Sequence, residues 1–191
     1  SREVPAGSPS TVTVSRDTAG RWFVSMLFDD TVAELPVTGA VVGIDLGLKH
    51  FAVTSDGDKI DHPRLLRSKE QRLARYQRAM ARKQKGSANR DKARRKVAKA
   101  HAQVSDARRD FLHKTSTDIV RTYDVIVVED LAVKNMVRNR SLAKSISDSG
   151  WGEFRQFLAY KAEWYGKRFV VIDRFQPTSK VCSDCGHLLA H

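Results

Sequence analysis

Hydrophobic and polar positions change period repeatedly along this chain. Residues 11–28 read Thr-Val-Thr-Val-Ser, then Arg16 to Gly20, then Arg-Trp-Phe-Val-Ser-Met-Leu-Phe. Two β-rich runs around a glycine-containing turn predict a β-hairpin. Pro36 to Gly39 separates it from Val41-Val-Gly-Ile-Asp-Leu46, a run of β-branched residues that predicts a buried strand. Phe51-Ala-Val-Thr54 predicts a second strand, running into the turn pair Asp56-Gly57, and Lys59 to His62 begins a third.

From about Ser68 to Thr122 the period becomes helical. Leu66, Leu73 and Met80 recur every seven residues, and Ala93, Val97, Ala100, Val104, Ala107 and Phe111 alternate by four and three. That is a narrow seam of the coiled-coil kind. Lys85-Gly86-Ser-Ala-Asn89 breaks the pattern, so two helices folded back as an antiparallel hairpin are expected over about 66–121. Val125-Ile-Val-Val-Glu129 predicts another buried strand. A polar stretch, Lys134 to Ser149, then leads to a helix over Trp151 to Gly166 with Ser149 as its candidate cap. Phe154, Phe157, Leu158, Lys161, Trp164 and Tyr165 form the stripe expected to pack on a sheet, and Gly166 suits the helix stop. Arg168 to Asp173 is the last predicted strand. The expected fold is α/β, a mixed sheet with an inserted basic helical hairpin.

Charge adds the first functional information. The 191 residues carry a formal net charge of +12, and 41% of them are hydrophobic, enough for one sizeable core and at most a second small module. Residues 64–114 hold roughly eighteen Lys/Arg against four Asp/Glu. Solvated helix faces mix signs and pair opposite charges at i,i+4, whereas Arg90 to Lys99 contains one acid, Asp91, among six bases. A polyanion accounts for that imbalance, because displaced counterions reward each base set against a phosphate backbone. No apolar run approaches the roughly 20 residues that span a bilayer, and residues 1–30 show no signal-peptide pattern. A cytoplasmic protein with no membrane partner and no small-molecule substrate is expected. Ser1 in place of Met and the Pro/Gly/Ser-rich start suggest a piece of a longer protein.

Two predicted buried strands end in carboxylates, Asp45 and Glu129. Paired acids on rigid strands are suitable ligands for two divalent cations, the arrangement used to cut phosphodiesters and the one an RNase H-like sheet organises. At least three such acids are normal, and Asp173 is read as structural beside Arg174. Asp45 followed by Gly47 also resembles the first phosphate loop of actin-like ATPases, but no second glycine-rich loop accompanies it. Cys182-Ser-Asp-Cys185-Gly186 has the spacing of a zinc knuckle, and it is half a site. His187 lies only two residues past Cys185, so neither it nor His191 is expected to complete the set.

Several ordered blocks resemble one family. Gly43-Ile-Asp-Leu-Gly-Leu-Lys-His-Phe-Ala-Val-Thr54, Arg82 to Arg90, Val128-Glu-Asp-Leu131, Val133-Lys-Asn-Met136, Gly150-Trp-Gly-Glu-Phe154 and Pro177 to Gly186 are similar to TnpB, the OrfB-type insertion-sequence transposases. The resemblance runs over about residues 10–189. It implies an RNA-guided DNA endonuclease with a RuvC-like domain, related to the type V CRISPR effectors, acting in DNA transposition and recombination in a prokaryotic cytoplasm, on the nucleoid when bound.

By that resemblance residues 1–38 are the end of a wedge-like β domain and linker, 39–175 the nuclease domain, and 176–191 a partial zinc ribbon. Asp45 and Glu129 become the first two catalytic acids and Mg2+ ligands, and Cys182 and Cys185 the first Zn2+ ligands. Arg82, Lys83, Lys85, Arg90, Arg94, Arg95, Lys134 and Arg138 are expected to face DNA or guide RNA. Relatives carry a second Cys-x-x-Cys and a third acid past this point, so the chain as given is expected not to cut by itself. The other reading left open is a nuclease-dead nucleic-acid-binding protein, a domesticated repressor or a decayed transposon fragment.

Overall fold

The computed structural model of the chain describes residues 7–173, with the side chains of residues 65–68 and of Lys134 outside that description. Compactness divides the chain into two units, residues 1–34 with 63–112 and residues 35–62 with 113–191.

In the first unit, β1 (Thr11–Arg16) and β2 (Trp22–Leu27) pair antiparallel, Thr11 opposite Leu27 and Arg16 opposite Trp22. This is the hairpin expected from the two β-rich runs and their glycine-containing turn. Its turn is closed by the Gly20 N–H donating to the Asp17 carbonyl at 3.0 Å, with Gly20 at φ 85°, a conformation that disfavours any side chain. The Asp17 carboxylate accepts from the Arg21 amide (2.8 Å) and guanidinium (2.6 Å), and Arg21 reaches on to Asp106. Both strands are exposed along their whole length, Trp22 and Val24 included.

Also in this unit lie α1 (Leu65–Ala81) and most of α2 (Ala88–Thr122), separated at the predicted breaker. Gly86 takes a φ of 82°, and the Ser87 hydroxyl and carbonyl receive the Arg90 amide, as an N-cap does. The Arg90 guanidinium closes the turn by donating to the Met80 and Lys83 carbonyls (3.2 and 2.9 Å). Of the predicted seam, Leu73, Ala93, Ala100 and Val104 are buried and Met80, Val97, Ala107 and Phe111 are half-buried. The side chain of Leu66 lies outside the described residues.

The second unit is built on a five-stranded mixed sheet of order β5-β4-β3-β6-β7. Here β3 is Val41–Leu46, β4 His50–Thr54, β5 Lys59–Asp61, β6 Val125–Glu129 and β7 Arg168–Ile172. Strands β3, β4 and β5 form an antiparallel meander, and β6 and β7 add parallel to β3. Val42, Ile44, Ile126 and Val128 alternate onto one face and are at most 4% exposed. Trp151, Phe154 and Phe157 of α5 (Trp151–Trp164) belong to the same core, with Phe51 and Phe154 edge-to-face at 4.9 Å.

Strict alternation would place Phe51 on the opposite face, with Val53. A bulge between His50 and Ala52 adds one residue to β4 against β5, and Phe51 and Ala52 are both fully buried as a result. Each fully buried ring of this size is worth about 1.5–3 kcal/mol of apolar transfer.

Three expectations for this unit are corrected. The polar stretch 134–149 contains two short helices, α3 (Val133–Met136) and α4 (Ala143–Ser149), too short for any period to be visible in the sequence. Ser149 does not cap α5; Gly150 in the left-handed conformation does, while the Ser149 hydroxyl donates to the Ser145 carbonyl at 2.8 Å and meets His62 Nε2 at 2.9 Å. Trp164, expected in the packed stripe, is 49% exposed, whereas Trp151 at the helix start is 2% exposed. Gly166 does end the helix, at φ 67°, with the Lys167 N–H donating to the Ala162 carbonyl as in a Schellman stop.

The first ends of the three parallel strands are tied by one carboxylate. Asp124, just before β6, accepts from the backbone N–H groups of Thr38 and Gly39, before β3, and from the ammonium of Lys167, before β7. Lys167 also donates to the Pro36 carbonyl at 2.7 Å. With its side chain 2% exposed, Lys167 is a buried cation with a matched anion, and the pair aligns all three strands.

A candidate two-carboxylate metal centre at the strand ends

Because Asp124 clamps the first ends of β3 and β6, these strands run in step to their last residues. Ile44 is level with Val128 in the parallel ladder, so Asp45 and Glu129, one residue further on, are neighbours across the strand gap. Adjacent strands lie about 4.8 Å apart. The two positions have the parity opposite to the buried Ile44 and Val128, and both acids are exposed. Val53 pairs with Asp45 and Ile172 with Glu129, so apolar residues flank the acids on both sides. Together these residues line a cavity of about 290 Å³. A second cavity, of about 540 Å³, begins at Glu129 and extends between Leu131, Val133 and the start of α5.

Glycine geometry explains the residues around Asp45. A Cβ at Gly47 would sit 3.3 Å from the His50 carbonyl oxygen, and the Gly47 N–H bonds the Phe51 carbonyl, so this glycine serves the tight β3–β4 connection. Gly43 exchanges backbone and side-chain hydrogen bonds with Ser55.

The residue after Glu129 has a different task. Asp130 accepts from Arg155 Nη1 at 2.6 Å while its N–H donates to the Ile172 carbonyl, joining β6, β7 and α5 beside the acids. Sequence reasoning named neither Arg155 nor this pair. An arginine inside a helix dominated by core aromatics was the available signal.

The remaining candidate residues are dispersed. Arg82, Lys83 and Lys85 are exposed in the turn between α1 and α2, and Arg90 is half-buried closing that turn. Arg94 is exposed and meets Asp91 at 3.4 Å; Arg95 is exposed one residue on. Arg138 is exposed just after α3, and Lys134 lies within α3. Asp173 follows the end of β7 and is exposed. Cys182, Cys185, His187 and His191 lie outside the described residues. Among the described residues no group of three or more His, Cys, Asp or Glu side chains gathers as a metal site would need. The donor set nevertheless suits a hard divalent cation, two carboxylates on one sheet face at rigid positions. No helix among the described residues is long and apolar enough to cross a membrane.

The family model described as a probable transposase, OrfB_IS605, matches residues 13–140, which include both acids. The chain belongs to the OrfB_IS605 transposase family. A second family model, the TNB domain of Cas12f1-like proteins, matches residues 151–191.

A Streptomyces pristinaespiralis member named as an RNA-guided DNA endonuclease is 54% identical over 187 residues, covering 97% of this chain and 46% of its own. The Escherichia coli K12 protein named as the RNA-guided DNA endonuclease InsQ is 36% identical over 204 residues, covering 98% of this chain and 50% of its own. The chain thus spans about half the length of these OrfB relatives. A Cas12f1 solved as a complex with sgRNA and target DNA has a TM-score of 0.52 at 16% identity, covering 93% of this chain and 45% of its own. A CRISPR-Cas12f ternary complex gives the same TM-score at 18% identity, covering 92% and 37%. At those identities the likeness is one of fold, and it bears out the mixed α/β sheet.

Proposed function

We propose that this chain is the RuvC-like part of an RNA-guided DNA endonuclease of the transposase family, with Asp45 and Glu129 as two of its metal-binding acids. The observation that carries the reading is their register. Two acids side by side at the ends of the central parallel strands of a sheet whose order is β5-β4-β3-β6-β7 form the start of a two-metal site. Relatives covering nearly the whole of this chain are named as RNA-guided DNA endonucleases, which supports the same substrate.

When bound, Mg2+ ions supply Lewis acidity for the attacking water and the leaving oxygen of a phosphodiester. The chain's own residues do the rest. Asp45 and Glu129 hold the metal side of the site, Asp124 and Lys167 keep their strands in register, and Asp130 with Arg155 fixes the adjoining helix. A third acid is needed to complete the site.

In this reading α1 and α2 form the inserted basic hairpin. Arg82, Lys83, Lys85, Arg94, Arg95, Lys134 and Arg138 take phosphates of guide RNA or DNA, and Arg90 sets the turn that presents the first three. Cys182 and Cys185 provide two thiolates for a Zn2+ that other ligands complete.

The test is cleavage of guide-matched DNA by the full-length protein in Mg2+. Cutting that vanishes in Asp45→Ala and in Glu129→Ala supports the reading. Cutting unchanged by both substitutions sinks it, and nucleic-acid binding with no cutting in Mg2+ or Mn2+ would leave a binding protein instead.

A further inference from the structure

Where α1 and α2 lie side by side, Arg72 of the first helix and Gln103 and Asp106 of the second line an open groove of about 560 Å³. One end of it is acidic, and there Asp106 is taken by Arg21 of the β-hairpin. The flank that runs from the groove towards the turn is basic. Lys99, Lys96 and Lys92 precede Gln103 by four, seven and eleven residues, which keeps them on its side of α2. On α1, Tyr76 and Lys83 follow Arg72 by four and eleven residues.

Two guanidiniums on this flank are already fixed. Arg72 Nε donates to the Tyr76 hydroxyl at 3.2 Å, and the guanidiniums of Arg72 and Arg75 lie 5.5 and 5.6 Å from the centre of the Tyr76 ring. These contacts hold both groups in place without neutralising either, and the remaining N–H donors of Arg72 stay open to a ligand. The phenol registers the charge, since the Arg72 hydrogen bond lowers its pKa against the pull of desolvation.

Arg72, Arg75, Lys92, Lys96 and Lys99 are all exposed, and among the described residues none of them makes an ion pair, whereas Arg94 is matched by Asp91. An ordinary surface intersperses acids to relieve such repulsion. No large apolar side chain is exposed between residues 69 and 103 among the described residues, which an anionic membrane surface would also use. From Arg72 to Lys83 the helix rises roughly 16 Å, about five phosphates of one duplex strand at 3.4 Å each.

Resting on the nuclease reading above for the kind of polymer, we propose that this flank is a clamp for successive phosphates of a nucleic-acid strand. Arg72 and Arg75 take phosphate oxygens through their fixed guanidiniums, and Lys96 and Lys99 take those nearer α2. Tyr76 is a positioning residue. It presets the two guanidiniums, so that less side-chain freedom is lost on binding. Lys83 joins the clamp to Arg82 and Lys85 of the turn in one continuous strip.

The test uses the full-length protein in EDTA, with fluorescein-labelled guide-sized RNA in one arm and duplex target DNA in the other. Each is followed by anisotropy over a KCl series. Arg72→Gln with Arg75→Gln, and Lys96→Gln with Lys99→Gln, remove two contacts each. Either pair should lower the slope of log affinity against log salt by about 1.4 on a single strand or about 1.8 on a duplex. Tyr76→Phe keeps both charges, so the slope should stay and affinity fall about threefold. Arg72→Lys with Arg75→Lys should also keep the slope while binding more weakly than the parent.

A fall on RNA alone assigns the strand to the guide and a fall on DNA alone to the target, and either supports the clamp. Slopes unchanged by both Gln pairs in both arms would overturn it. On the parent protein, bound nucleic acid should shield Lys96 and Lys99 from acetylation, read by mass spectrometry, and this decides if a variant does not fold. Equal labelling with and without nucleic acid would also overturn the clamp. Asp45→Ala should keep the slope and the shielding while losing cleavage. If it cuts as the parent does, the nuclease reading fails while slope and shielding still judge the clamp.

Discussion

Asp45 on β3 and Glu129 on β6 stand one residue beyond the paired Ile44 and Val128, at matching positions of two parallel strands. The same ladder that buries Ile44 and Val128 turns the two acids to the other face. Sheet geometry alone thus brings together side chains 84 residues apart in the sequence.

Because both acids are exposed at strand ends, their removal should be felt in chemistry and not in folding. Asp45→Asn and Glu129→Gln should change unfolding free energy by no more than about 0.5 kcal/mol, as surface substitutions do. Each should cut the full-length protein's cleavage rate by a factor of about 10² or more, the scale of losing one group that stabilises the reacting phosphate. Denaturant titration beside a cleavage time course checks both. A variant that unfolds easily would mean that the acid is structural.

Asp124 makes the fold sensitive to acid. Its hydrogen bond with the Lys167 ammonium, helped by the Gly39 and Thr38 amides, lowers its pKa from 3.8 to about 2, against the opposing pull of desolvation. A carboxyl depressed on folding contributes stability that is fully present above its unfolded pKa and is lost as pH falls through the folded one. The thermal midpoint should therefore drop between about pH 4 and pH 2. Asp124→Asn, already less stable at pH 7 with the buried Lys167 lacking its counter-charge, should show a shallower fall over that window. Parallel melting curves for the two proteins would reveal a mistake in this assignment.

Phe51 supports the sheet from the bulge. Fully buried and edge-to-face with Phe154, it should cost about 3–5 kcal/mol on replacement by Ala. Val53, the next residue but one, is half-buried beside Asp45, so Val53→Ala should cost clearly less. Urea unfolding of the two variants compares them directly; equal losses would argue against the bulge as the device that turns Phe51 inward.

The turn between α1 and α2 presents Arg82, Lys83 and Lys85 together, all exposed. Replacing all three by Gln should weaken RNA binding and lower the slope of log affinity against log salt by roughly two to three, since each single-strand phosphate contact contributes about 0.7 and each duplex contact about 0.9. A salt series with a guide-sized RNA measures it. An unchanged slope would take this turn out of the interface.

Much of this molecule is legible in one dimension. Runs of β-branched and aromatic residues marked the strands, a seam in fours and threes marked α1 and α2, and glycine with its φ requirement placed the turns at Gly20, Gly57 and Gly86. Asp45 and Glu129 could be picked out because a charged residue after four β-branched or glycine positions breaks a buried pattern. All of these are local signals, and backbone sterics and burial act locally.

The rest was decided by contacts that no local pattern encodes. That β6 lies beside β3, and in the register that makes the two acids neighbours, depends on Asp124 gathering Thr38 and Gly39 from one distant segment and Lys167 from another. The bulge that buries Phe51 exists only against β5. Trp164 is exposed although it falls on the aromatic stripe of α5, while Trp151 of the same helix is buried. Residue type and spacing set which elements form and which chemistry they carry. The long-range pairing of those elements sets which side chains meet, and here it set the pair of acids.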